Sequence, residues 1–505
     1  MRDRFLALSL AGCLLLSGCG RVAPDPAQSA EPSPDAAVET PVPQETRVFT
    51  LPADPVGGWN PYVGSQSGNM TLAPLLYESL FELDGTITWH PLLAKSAEAS
   101  ENGLVWTVIL REGVTFSGGQ TLDAKTAAAA VNAARDKKSV YATRLSGVKS
   151  VAAEDEYTLT FTLSAPNARL PALLDFPIAL VKGEEVYGTG PYEVGEGKLV
   201  ARTGWWRGLD LPLQGLELMD ISDAAALVTA FNAGSLSLAA TDPTGSDSLG
   251  YAGTYQSWEY PTSNMLYLGF QCGKGLCKSA EFRRLVSRAL DREALTAQAL
   301  DRHAAAAALP APASAGLYDA ATARALDFDR EAVAQALDEL GYTLGEDGVR
   351  QSRWGRVSLK LVANADNAYK ERLAQWIAQA LGEMGMEVKV EALPWEEYTK
   401  ALEKGDFDLY LAECRLTGDL DPTPFLTRGS GLYYGGFYDK ELTGALYTAR
   451  LTGEWEDFYT RWADQAPMAV ICFKNAQMLT QWGQVEGADP TQGDLFYHFE
   501  NWTIR

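Results

Sequence analysis

Histidine is scarce in this chain. His90, His303 and His498 are the only three. None sits in a His-Glu-x-x-His pair and none has a second histidine or a cysteine close by in sequence, so a hydrolytic zinc site lacks ligands at the spacing it needs. A Gly-x-Ser-x-Gly elbow is missing, as are a P-loop and a Gly-x-Gly-x-x-Gly turn after a strand. Acids are plentiful. Asp406 and Asp408 fall on one face of an alternating run, and Asp419 and Asp421 repeat that spacing. Paired carboxylates of this kind are what glycoside hydrolysis uses. With 65 Asp and Glu residues present, such pairs also arise without catalytic purpose, and either Asp419 or Asp421 reads equally well as an Asx turn ahead of Pro422. The residues point away from catalysis and leave binding as the chemistry to explain.

The first residues are a processing signal rather than part of a fold. Arg2 and Arg4 precede an apolar run from Phe5 to Leu16, too short to cross a hydrocarbon layer of about 30 Å as a helix. The run ends in Leu16-Ser17-Gly18-Cys19, which resembles the lipobox of bacterial lipoproteins. That resemblance implies a signal peptide over 1–18 and lipidation of Cys19. Leu10-Ala11-Gly12-Cys13 has the same pattern but would leave a much shorter apolar core. Residues 19–45, rich in Pro, Ala, Ser and acids, cannot bury enough apolar surface to offset chain entropy and are expected to be a lipidated tether.

Some 460 residues remain, enough for two or three domains. The formal charge of −23 excludes a phosphate-tracking surface and hence nucleic acid as a partner. It also leaves acyl chains, not charge, as the route to a membrane. Of six cysteines, Cys272, Cys277, Cys414 and Cys472 lie in the body of the chain, and four thiols allow three pairings. Cys272 and Cys277 sit in the glycine-rich run QCGKGLCK, which could close on itself, and are the favoured pair. Cys472 lies in the apolar run Met468–Phe473 and reads as core. Cys-x4-Cys with no further Cys or His nearby makes a poor metal site, and no cofactor is implied.

Helical periodicity marks 73–80, 124–135, 224–233, 279–302, 329–340, 368–381 and 395–403. Short β-rich runs mark 105–110, 157–163, 357–362, 387–390, 407–411 and 469–473. Late in the chain, strand and helix alternate across 357–411, as covering helices on a parallel sheet require. The earlier half pairs its strands across turn signals such as Glu101-Asn102-Gly103. The fold class is therefore α/β with α+β parts. No internal repeat is detectable.

Several stretches in order resemble the extracellular solute-binding proteins for oligopeptides, dipeptides and nickel that serve ABC importers. Among them are Trp59-Asn60-Pro61, Leu76-Tyr77-Glu78-Ser79-Leu80-Phe81, and Leu110-Arg111-Glu112-Gly113-Val114 running on to Gly119, with Gly118 where that family has Asp. Gly188-Thr189-Gly190-Pro191-Tyr192, Phe282-Arg283-Arg284 with Asp291-Arg292-Glu293, and Gly405-Asp406-Phe407-Asp408-Leu409 continue the series. The resemblance implies a bilobal periplasmic-binding-protein-like fold. Its discontinuous first lobe would comprise 46–68, 187–263 and 474–505, with an inserted domain over 69–186, and a hinge-linked second lobe would span 264–473. It implies a monomer on the outer face of the cytoplasmic membrane that captures a peptide or related small solute for an importer permease. A nickel or metallophore binder of the same family is the alternative, and a secreted enzyme or adhesin on the same scaffold the more distant one. In peptide-binding members an Asp after the "FDL" strand pairs with the α-ammonium of the ligand, since a desolvated cation needs a charged hydrogen-bonding partner. Asp419 is the positional match and Asp421 its neighbour. Gly64, Ser65 and Gln66 match a loop that lies along the ligand backbone, and Trp395 opens a helix after Pro394 from which it could pack or touch ligand.

Overall fold

The computed structural model describes residues 48–505 apart from 55, 64–66, 246–249 and 354. The signal peptide over 1–18, the lipidation at Cys19, the tether over 19–45 and the Gly64-Ser65-Gln66 contact all lie outside the described residues. Residues 47–505 form one compact unit.

A seven-stranded mixed sheet carries most of the second half of the chain. Its order is 238–241, 468–481, 255–270, 409–415, 358–364 and 387–393, with 304–306 added against 468–481. Strands Ser358–Asn364, Glu387–Leu393 and Leu409–Arg415 run parallel, joined by helices Ala368–Glu383 and Trp395–Lys404, as the strand–helix alternation requires. Both faces of the sheet are covered, and the period of two sorts its side chains between two cores. From Tyr255–Phe270, Met265 and Tyr267 enter one core while Leu266, Leu268 and Phe270 enter the other. Burying each such side chain stabilises the fold by about 1.5–3 kcal/mol.

Two strands of that sheet are unusually long. Tyr255–Phe270 and Met468–Gln481 pair antiparallel along most of their length, and their register shifts between Pro261 and Met265. A register shift of this kind bends and twists a strand pair. One end of the pair lies beside Leu238–Thr241 and the other beside Leu409–Arg415. Lys474 sits near the bend, 4% exposed, with Nζ 2.5 Å from Asp242 and 3.1 Å from Glu413. Glu413 also accepts from Lys370 at 2.9 Å.

Two four-stranded sheets complete the frame. One joins 50–53, 215–220, 198–201 and 192–194; the other is an antiparallel meander of 94–99, 105–110, 158–163 and 148–153. The alternation in Val105–Leu110 and Thr158–Leu163 puts every second residue into one core shared by both sheets.

Helices begin where a short polar side chain can take an orphan amide. Asp123, Asp223, Ser279, Asp291, Asp329, Asn367 and Asp439 each accept from the amide three residues on, the usual N-cap geometry. This corrects the single helical run expected over 279–302. Asp291 caps a second helix, Arg292–Ala299, so the chain breaks after Ala280–Arg288. The helix expected over 73–80 instead spans Ser67–Leu76. It stops there because Gly190 donates to the Leu76 carbonyl and packs so closely that a Cβ would collide with it. The strand expected over 407–411 is displaced to Leu409–Arg415. Asp408 is drawn into pairing, accepting from the Lys360 amide at 2.9 Å, and Lys360 Nζ reaches Asp406 at 3.1 Å. Those two acids hold the sheet edge. The motif arginines are equally structural: Arg283 donates to the carbonyls of Ala466, Cys277 and Lys278, and Arg292 to those of Val470 and Leu326.

The Cys272–Cys277 bridge is not formed; both residues are free thiols, as are Cys414 and Cys472. Burial pushes the Cys272 thiol up to about 11 and Cys277 well above its ordinary value, so both stay protonated. Cys272 Sγ points to the Phe270 carbonyl at 3.6 Å.

Candidate functional site

A cavity of about 550 Å³ lies beside Tyr260 and Pro261, at the bend of the long strand 255–270, and reaches Arg415. Its walls come from segments far apart in sequence: 70–92, 141–144, 175–177, 205–211, 260–261, 415 and 491–500. No helix among the described residues is long and apolar enough to cross a membrane.

One wall begins at the Tyr77–Asp84 segment. Tyr77 Oη donates to the Trp59 carbonyl at 2.6 Å, and Phe81–Leu83 pairs with Trp89–Pro91. Glu78 is thereby carried inside, 5% exposed. Its Oε2 accepts from Trp206 Nε1 at 2.5 Å, while Oε1 is buried without a hydrogen bond of good geometry. Thr189 and Trp205 lie close enough to favour its charged form, but burial dominates and pushes the carboxyl up to about 7. Trp205, 6% exposed, makes no well-formed hydrogen bond from Nε1 among the described residues and lies beside the same carboxyl. Glu82 is raised by burial as well. The turn that follows is held by Asp84, which accepts from the amides of Thr86 and Thr88 and faces His90 Nε2 at 2.9 Å. It forces Ile87 to a φ of +58°, a costly setting for a β-branched side chain and of the kind that collects at functional sites.

The opposite wall is the 491–500 segment. Asp494 Oδ1 accepts from the Phe496 amide at 2.7 Å, and burial pushes its carboxyl up to about 7. Glu500 pairs with Arg207 at 3.0 Å. Gln492 fastens this segment to the bent strand, its Nε2 donating to Ser263 Oγ at 3.0 Å. Its carbonyl accepts from Arg415 at 3.4 Å. Arg144 is ion-paired with Asp175, whose carboxyl is raised by burial against the opposing pull of Arg144 and Arg415.

The residues singled out from sequence lie elsewhere. Asp419 is 4% exposed; its Oδ2 accepts from Asn167 Nδ2 at 2.8 Å and its Oδ1 from Thr417 Oγ1 at 2.5 Å. Asp421 is bridged to Arg450, which also donates to the Pro166 carbonyl at 3.1 Å. Burial, with Asp419 adding to it, raises the Asp421 carboxyl. The two aspartates therefore come together, but against the 166–169 segment and not on the cavity wall. Arg169 seals the same contact, donating to the carbonyls of Ile87 and Gly418. Trp395 is 56% exposed, its ring against Tyr398 with centroids 5.8 Å apart, and its amide donates to Asp366.

Sequence reasoning passed over the cavity charges. Glu78 was visible only as part of a fold motif, and Arg144, Arg415 and Asp494 stand in no motif. The available signal was acids embedded in apolar runs, as in Leu80-Phe81-Glu82-Leu83, and the adjacent pair Trp205-Trp206.

Comparison with known proteins decides the family. The pattern of the bacterial extracellular solute-binding proteins, family 5 Middle, matches residues 88–433. The chain belongs to that family. Oligopeptide-binding protein AppA of Bacillus subtilis is 22% identical over 489 residues, covering 88% of this chain and 89% of that one. A substrate-binding protein of an ABC transporter from Sinorhizobium meliloti has the same fold, with a TM-score of 0.73 at 20% identity, over 91% of this chain and 100% of that one. NikZ of Campylobacter jejuni, solved with Ni(L-His), aligns with a TM-score of 0.61 at 17% identity over 90% of this chain and 99% of its own. The bilobal α/β architecture of this family is thus the fold of this chain.

Proposed function

We propose that this family 5 protein captures a peptide or related small solute in the cavity described above and passes it, chemically unchanged, to the permease of an ABC importer. The observation that carries the reading is the cavity itself, which at about 550 Å³ falls in the range of small-molecule sites, roughly 300–1,000 Å³. Its wall is built mainly from 70–92, 141–144, 175–177, 205–211 and 491–500, and it meets Tyr260, Pro261 and Arg415 of the large sheet. We assign the first lobe to 46–68, 187–263 and 474–505, the inserted domain to 69–186 and the second lobe to 264–473. The bend near Pro261 and Lys474 is the hinge on this reading. Ligand favours the closed form only by its differential affinity for it.

The wider setting follows the sequence. Cys19 anchors the chain by lipid on the outer face of the cytoplasmic membrane, and the protein works as a monomer without cofactor or nucleic acid. AppA, by its name, binds oligopeptides, which favours peptide over other solutes here. The cavity wall offers one histidine, His498, a thin donor set for a bare transition metal. Calorimetric titration of the protein with short peptides, after any copurified solute has been removed by mild unfolding and refolding, is expected to show saturable one-to-one binding. Silence toward peptides, or turnover of the added peptide, overturns the reading.

A further inference from the structure

Ile87 is buried apart from its neighbours in sequence. Leu80, Phe81 and Leu93 enter the core shared by the two smaller sheets. Ile87, 7% exposed, enters a core of the large sheet instead, and every other buried member of that core among the described residues falls between Met265 and Phe473. Leu83 packs on the edge of the same core.

The turn that carries Ile87 is tightly built. Asp84 Oδ1 accepts from the amides of Thr86 and Thr88 and from Thr86 Oγ1 at 2.7 Å. The Asp84 amide donates to the Thr88 carbonyl and the Asp84 carbonyl accepts from the Ile87 amide, both at 3.0 Å. Ile87 is thereby held at a φ of +58°, a setting that a β-branched residue enters only at a cost. Burial of an isoleucine side chain is large enough to offset that cost. Polar contacts seal the same seam. Arg169 donates to the carbonyls of Ile87 at 3.1 Å and Gly418 at 3.3 Å, and Asn167 Nδ2 donates to Asp419 at 2.8 Å. The Ala168 amide donates to the Arg450 carbonyl at 2.6 Å, and Arg450 donates back to the Pro166 carbonyl at 3.1 Å. Leu83, Asp84 and Ile87 also line the cavity, so one turn faces the candidate site and the second lobe together.

Resting on the lobe assignment above, we infer that the Asp84–Thr88 turn is a latch, in which the inserted domain sets Ile87 as a knob into the second lobe and Asn167, Arg169 and Arg450 seal it. Separating the lobes returns Ile87 to water and strips Asn167 from Asp419. The chain's own contacts therefore favour the closed form, and a solute in the cavity adds to that bias at the same turn. Asp419 serves the latch rather than a solute's ammonium.

Hydrogen exchange of the full chain, freed of copurified solute and read by mass spectrometry, tests the latch. The Ala168 amide is bonded across the seam, so its exchange requires the seam to open. Ile87→Ala is expected to speed exchange over 166–169 and 416–421 about tenfold or more, the size of a lost buried isoleucine side chain. Strands 105–110 and 358–364, each paired within its own side of the seam, are expected to keep wild-type rates. Ile87→Gly relieves the backbone but still lacks the knob, and is expected to act in the same direction. Arg169→Gln, which removes the bonds to Ile87 and Gly418, is expected to speed the same two segments to a smaller degree. Unchanged exchange over 416–421 in Ile87→Ala overturns the latch. Equal acceleration over 105–110 and 358–364 overturns it too, since Ile87 then contributes only to overall stability. Slower exchange in Ile87→Gly than in wild type makes backbone strain, not the knob, the dominant effect and also overturns it. None of these outcomes bears on solute capture, which the peptide titration decides separately.

Discussion

Replacing Glu78 by glutamine tests the electrostatics of the cavity without any ligand. Burial carries this carboxyl from an ordinary 4.5 to about 7 in the folded protein. Between those values the native state keeps a proton that the unfolded chain has released. Its contribution to stability is therefore complete below about pH 4.5 and is lost as pH rises through about 7. The interval corresponds to about 3 kcal/mol, of which about 2.5 kcal/mol falls between pH 5 and pH 8. A glutamine at this position still accepts from Trp206 Nε1 but cannot ionise, so it escapes the loss. Urea midpoints of ligand-free wild type and Glu78→Gln, measured at several values from about pH 5 to pH 8, are expected to diverge with rising pH, the variant holding the advantage at the alkaline end. The wild-type curve does not flatten entirely in the variant, because Asp494 is raised from 3.8 to about 7 by its own burial and titrates over the same window with the same sign. Parallel curves for the two proteins would refute the reasoning, since they would mean that the Glu78 carboxyl titrates as it does in water.

Gly418 packs so tightly on the Ala172 carbonyl that a Cβ would collide with it; Gly418→Ala is expected to cost about 1–3 kcal/mol, as overpacking does, and to speed hydrogen exchange over 166–173, whereas unchanged exchange there would contradict the contact. Removing the buried ammonium by Lys474→Met leaves Asp242 and Glu413 without their shared cation, and a loss of about 2–4 kcal/mol in thermal unfolding is expected, reduced from the full cost of an orphaned charge because Glu413 retains Lys370. Combined with Asp242→Asn the loss should fall short of the sum of the two single changes, since both act on one ion cluster; strict additivity would argue against it.

The scaffold was legible wherever its cause is local. Asp291 and Asp329 announce helix starts by side-chain chemistry that acts over three residues, and the alternation in Val105–Leu110 declares which face is buried. The strand–helix order across 357–411 predicted a parallel sheet because covering helices demand one. Boundaries failed where a distant contact intervened, as at Leu76, whose helix ends under Gly190. The bridge expected between Cys272 and Cys277 failed for a related reason. Proximity in sequence allowed it, but packing leaves Cys277 buried and Cys272 half-buried as separate free thiols.

The binding chemistry was legible only in outline. Family motifs identified the fold and directed attention to Asp419, whose neighbours in sequence say nothing of Asn167, the residue that occupies its carboxylate. The wall of the cavity draws on Glu82, Arg144, Asp175, Arg207, Arg415 and Asp494. No periodicity or spacing joins those six residues; packing of segments far apart in the chain brings them to one place.

Sequence alone therefore determined the class of fold, the caps and turns that build it, the acidic surface and the absence of recognisable catalytic motifs. These follow from propensities and patterns that operate within a few residues of chain. Tertiary structure alone decided which carboxylates lose their water and which guanidiniums keep a free face. Burial and the separation between charges are properties of the packed surroundings, and an isolated stretch of chain has neither.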